Sequence, residues 1–193
     1  MDQHNRSALA QKKAKLQRRL QATAFYQQHV AEWLELPNLL QQQSVPFEVT
    51  GFYWPQEFVS ELPQQLADPE TGRYLAGRPL IDDIESRLFS GLEQRFPSTN
   101  PLRYVPDMPH RIPCEPDAHA ALQQIIGKHP HGTMVHFFYP RYAPELRVDL
   151  ADVLSNAALF FSLPEDCCLM TSAYQWILCR TLEDEWWWTG DIR

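Results

Sequence analysis

"DCCLMTSAYQWILCRTLEDEWWWTG", from Asp166 to Gly190, decides the fold. It holds three runs, "DCCLMTS", "QWILCRTL" and "EWWWTG", each apolar or aromatic, too short for a helix and bounded by turn-forming residues. The last two face each other across "EDE", which predicts a hairpin. Side chains alternate along a strand, so Trp186 and Trp188 share one face and Trp187 takes the other. The same logic reads "GTMVHFFYP" (132–140) as a further strand and "VPFEVTGFYW" (45–54) as a strand running into a turn.

Helices are predicted upstream and between these strands. From Arg6 to Leu36 there is no Gly or Pro, and Ala, Gln, Lys, Arg and Leu dominate. Leu16, Leu20, Ala24, Tyr26, Val30, Trp33 and Leu34 recur at spacings of three and four, giving one apolar face that docks from about Leu20 onward. Residues 1–19 are expected to project or fray, and Pro37 to close the helix. "DDIESRLFSGLEQRF" (82–96) and residues 116–128 read as two more amphipathic helices. "RVDLADVLSNAALFFS" (147–162) reads as a helix capped by Asp149. Residues 37–80 are loop-rich, with "DPETG" (68–72) read as a turn.

Helices followed by antiparallel strands define an α+β chain. The expectation is a single domain over 1–193: a long N-terminal helix, with two to three further helices on a small, mainly antiparallel sheet built largely by the C-terminal third. The composition, 44% hydrophobic and 21% charged, is that of a globular protein. Cys114, Cys167, Cys168 and Cys179 form no CxxC pair and read as reduced thiols of a cytoplasmic protein. The start has no apolar run after its basic residues, and no stretch of about 18 apolar residues occurs, so neither a secretory signal nor a membrane span is expected.

The net charge of -7 is unevenly spread. Arg6, Lys12, Lys13, Lys15, Arg18 and Arg19 oppose only Asp2, Glu32 and Glu35 in the first 35 residues, leaving about -10 for the rest. A body that acidic disfavours nucleic acid and favours basic partners. "KKAKLQRR" (12–19) carries the basic groups of a phosphate-binding face but no aromatic for base stacking, and reads first as a solvated helix face. A regulatory or assembly role for this helix is an alternative.

No catalytic frame stands out. The serines have no G-x-S-x-G setting, and phosphate-cradling glycine loops are absent. His110, His119, His129, His131 and His136, with Cys114 and Glu115 among them, offer a second alternative, an enzyme with a His and carboxylate site that could use a metal. Their spacing matches no standard zinc pattern, so no metal and no cofactor are expected. Asp82 with Asp83, and Glu165 with Asp166, read as caps and turn residues before they read as acid and base.

The run "LPEDCCLMTSAYQWILCRTLEDEWW" (163–187) resembles the C-terminal signature of small bacterial immunity-type families found beside polymorphic toxins. The resemblance implies a non-enzymatic, often acidic α+β inhibitor that plugs a toxin's active site. It places partner contact on Asp166, Trp176, Glu183, Asp184, Glu185, Trp186, Trp187 and Trp188. Large apolar groups inside a charged rim also have the composition of a protein-binding hot spot. The leading expectation is therefore a protein-binding protein, with a basic toxin as the partner implied.

Overall fold

The computed structural model describes residues 3–81, 94–97, 107, 110–111, 123, 132–139 and 142–190. Helix α1 (Gln3–Phe25) leads into a π turn (Tyr26–Val30), a 3-10 turn (Glu32–Leu34) and α2 (Glu35–Gln42). Strand β1 (Glu48–Tyr53) follows, then a 3-10 segment (Gln56–Glu61), α3 (Leu62–Leu66), α4 (Pro69–Leu75) and β2 (Leu80–Ile81). Beyond β3 (His110–Arg111) come β4 (Met134–Tyr139), β5 (Tyr142–Asp149), α5 (Leu150–Ser155), α6 (Ala157–Phe160), β6 (Cys167–Thr171), β7 (Trp176–Arg180) and β8 (Trp186–Gly190).

The strands form one sheet in the order β2-β1-β5-β4-β6-β7-β8-β3. Its six longer strands are antiparallel throughout, and two-residue strands flank them, β2 parallel to β1 and β3 antiparallel to β8. The chain is therefore α+β, with the sheet drawn largely from its C-terminal part. On one face Val135, Phe137, Leu146, Leu169, Leu178 and Trp186 pack against Trp33, Leu40, Val153 and Phe160 from the helices. On the other, Phe138, Cys168, Met170, Ile177 and Cys179 pack with Phe96. Strand β6 is buried along its whole length because both of its faces are covered.

Three local readings change. Pro37 does not end a helix but lies in the first turn of α2, where its missing N–H breaks no intrahelical bond. "DPETG" is not a turn. Asp68 caps α4, its Oδ1 accepting from the N–H of Glu70 (3.1 Å) and Thr71 (2.9 Å), and Pro69 takes the first helical position. These bonds hold the Asp68 carboxyl below its usual range, the contact with the Thr71 N–H first among them. The third change concerns the apolar face expected from Leu16 through Leu34. Ala31 N–H donates to Tyr26 O (2.9 Å), a π-type bond that rotates the face. Val30, Trp33 and Leu34 are buried, whereas Leu16 and Leu20 point to solvent.

The Asp149 cap stands as expected, its carboxylate accepting from the Ala151 N–H at 2.8 Å. Strand β5 was not foreseen, because Pro144 argues against an interior strand. It is tolerated at a bulge: Phe137 opposes Leu146 and Tyr139 opposes Tyr142, so β5 carries extra residues opposite Phe138. The expected helices at 82–96 and 116–128 lie largely outside the described residues. Among the described residues no helix is long and apolar enough to cross a membrane.

Cys167 and Cys168 are fully buried, and burial pushes both thiols up from the ordinary 9.0. Their contribution to stability is fully present below that value and is lost as pH rises above it, because the unfolded thiols then ionise and the folded ones do not. Stability should therefore fall above pH 9, by up to about 1.4 kcal/mol per pH unit for each thiol. Thermal melts between pH 8 and 11 check this, and Cys167→Ala should flatten the decline.

Candidate functional site

The C-terminal hairpin brings together most of the residues expected to meet a partner, and alternation decides where each points. Trp186 is 1% exposed and packs at a tilt against Phe161 with ring centroids 4.9 Å apart. Trp188, on the same face, is half-buried against that core, and Trp176 is wholly inside it. Trp187 takes the opposite face, half-buried opposite Cys179 and Arg111, and its indole N–H donates to Glu185 Oε2 at 3.2 Å. Two acids close the hairpin. Asp166 Oδ1 accepts from the Leu182 N–H (2.8 Å), and Asp184, in a left-handed conformation (φ 61°), pairs with Arg180. The outward features are Glu183 and Asp184, both exposed, and Leu182, which is 51% exposed.

A second group lies on α1. Every residue from Arg6 to Gln21 is exposed, and Ala22 is the first to be buried. Phe25 fastens the helix end to the body, edge-on to Trp54 with centroids 5.6 Å apart. Leu9, Leu16 and Leu20 are 63%, 59% and 61% exposed. At 3.6 residues per turn they fall within about 40° of one another. Arg6 and Lys13 flank this stripe on one side, Lys12 and Arg19 on the other, while Ala22 lies on the face turned to the body. The sequence placed the start of docking at about Leu20, just short of where burial begins at Ala22, and Leu9 went unnoticed.

A third group spans three strands on the face away from the α-helical layer. Of the histidines from His110 to His136, only His136 has a described side chain. Its Nε2 lies 2.9 Å from Ser172 Oγ, just past the end of β6, and its Nδ1 contacts the Glu145 carboxylate of β5. The carboxylate oxygen and the ring nitrogen are in close contact without the alignment of a hydrogen bond. Glu145 is 7% exposed, His136 is half-buried and Ser172 is exposed. Glu145 belongs to the β5 segment that bulges opposite Phe138, and Thr50 Oγ1 donates to its backbone oxygen at 3.3 Å. Nothing in the local sequence marks Ser172 or Glu145, since their meeting depends on strand order and on the bulge.

A cleft of about 440 Å³ between the end of α2, β1 and α4 carries Arg73 and Arg78 with Gln41, Ser44 and Tyr74 on its wall. Arg78 lies 3.8 Å from Glu48, Arg73 lies over the Tyr74 ring, and the Tyr74 hydroxyl is within hydrogen-bond reach of Asn38 and Gln41. Its cations are thus already engaged within the chain. Cys114, His119, His129, His131, Asp82 and Asp83 lie outside the described residues. Among those described, no three His, Cys, Asp or Glu side chains are grouped as metal ligands would be.

The fold defines an α+β protein with a projecting basic helix. No family model matches the chain, and neither a curated protein nor a solved structure is found similar to it.

Proposed function

We propose that this chain is a protein-binding protein whose docking element is α1, received by an apolar groove with an acidic rim on a partner. The observation that carries this reading is the stripe Leu9, Leu16 and Leu20, exposed on one side of α1 between two basic flanks. Burying a leucine gains roughly 1.5–3 kcal/mol, so a partner covering three has a strong apolar drive, while the flanking cations set register and orientation. A helix that packs on nothing lacks the tertiary contacts that supply most helical stability, and seating it in a groove stabilises helix and complex together.

Other occupants fit less well. Phosphate would satisfy the cations and leave the leucines in water. A second α1 would set like charges against each other along both edges of the seam.

A second reading keeps the hairpin of the immunity-type resemblance. Leu182, exposed between Asp166, Glu183 and Asp184, is an apolar group in an acidic rim and suits a basic partner such as a toxin. In that reading Trp176 and Trp186 form the rigid base beneath the contact, and Trp187 and Trp188 border it.

A photo-reactive residue placed at Leu16, Arg18 or Leu182 in living cells separates these readings. The α1 reading expects one adduct, to an acidic protein, from position 16 and none from position 18 on the opposite face, with the adduct lost in Leu9→Ser/Leu20→Ser. An adduct from position 182 alone transfers the function to the hairpin. Adducts to nucleic acid, or equal yields from 16 and 18, contradict the docking helix.

A further inference from the structure

Ser172, His136 and Glu145 form an ordered line from solvent to interior. The exposed hydroxyl comes first, the half-buried imidazole second and the buried carboxylate last. The outer contact is 2.9 Å, within the reach a base needs to take a hydroxyl proton. The inner contact sets a carboxylate against the other ring nitrogen, where it orients the ring and stabilises its protonated form. His136 and Glu145 sit on neighbouring strands β4 and β5 and Ser172 in the hydrogen-bonded turn that leaves β6, so the sheet and that turn fix their spacing.

The arrangement is costly unless it serves a purpose. Glu145 places a carboxylate on a face whose neighbouring positions are Phe138, Cys168, Met170 and Ile177. Burying such a group is unfavourable without a partner, and a bulge in β5 accompanies its turn toward His136. Ser172 opens a tight turn in which Tyr174 N–H donates to Thr171 O and Gln175 N–H to Thr171 Oγ1, both at 2.9 Å.

We infer that Ser172 is the nucleophile of an acyl-transfer site, with His136 as its base and Glu145 as the residue that positions the imidazole, acting on carboxylic esters. Ser172 Oγ attacks the ester carbonyl carbon while its proton passes to His136 Nε2. The tetrahedral intermediate collapses, the carbon–alkoxide bond breaks, and the alcohol leaves with the proton returned by His136. Water, deprotonated by the same imidazole, then cleaves the acyl-serine, so that ester and water give acid and alcohol. This inference is independent of the docking role of α1.

A fluorophosphonate probe applied to the intact chain tests it, with the adduct mapped by peptide mass spectrometry and p-nitrophenyl acetate turnover followed in parallel. One adduct per chain is expected, at Ser172. Both signals should vanish in Ser172→Ala, an exposed position whose loss leaves the melting curve unchanged. His136→Asn should slow labelling by about 10²–10⁴-fold. Glu145→Gln should slow it, and Glu145→Asp, which keeps the carboxylate, should restore part of the rate. Arg147, directly opposite His136 in register and 3.6 Å from Glu48, is unchanged in that comparison. A purely structural Glu145 would lower the melting temperature in both variants and leave the labelling rate of the folded protein unchanged. Absence of an adduct in folded protein, or labelling of Ser172 no faster than that of exposed Ser155 and Ser162, overturns the inference.

Discussion

Trp186→Ala should lower the free energy of unfolding by about 3–5 kcal/mol, the cost of emptying a large aromatic site in a core that cannot fully collapse. For a chain of this size that is a fall in melting temperature of roughly 10 °C. The adjacent Trp187→Ala should cost well under half as much. Trp186 is closed in between Phe161 and the helical layer, whereas Trp187 is half-buried on the other face of the same strand, where its indole N–H donates to the nearby Glu185. Urea titrations of the two variants measure the difference. Equal losses would mean that β8 does not alternate as its register with β7 requires.

Removing His136 should be nearly as damaging. Glu145 is 7% exposed, and His136→Ala strands its carboxylate, which in comparable buried pairs costs about 3–5 kcal/mol. The double variant His136→Phe/Glu145→Leu takes both polar groups off the face and should recover most of that loss, since apolar replacements fit beside Phe138 and Met170. With His136→Phe and Glu145→Leu measured singly beside it, the comparison is a double-mutant cycle with a strong positive coupling. Additive losses would mean that the two residues do not share their burial.

The architecture was largely legible in the sequence because its signals are local. Alternation and turn residues placed β4, β6, β7 and β8, and Asp149 marked the start of α5. Failures arose where a local signal had two meanings. Asp68 before Pro69 serves a turn or a helix cap, and only the chain that follows decides. Pro37 read as a breaker, yet it sits where a missing N–H is harmless, in a first helical turn. The π turn at Tyr26–Val30 leaves no mark in composition, so the face of α1 was followed through it without the rotation it imposes. Trp186 to Trp188 were legible in their alternation, whereas burial depends on the helices packed above them. Ser172, His136 and Glu145 are far apart in sequence and meet only because β6, β4 and β5 are neighbours.

The central claim is that α1 stands uncovered in the isolated chain, with its leucine stripe free for a partner. Amide hydrogen exchange measures this directly. Residues Arg6 to Gln21 should exchange with opening free energies below about 1 kcal/mol at every protein concentration, while β4, β6 and β7 exchange slowest, near the global limit. Protection of α1 comparable to those strands would contradict the claim. If it were independent of concentration, the helix would be packed on its own body, and if it grew with concentration, the partner would be a second copy of the chain.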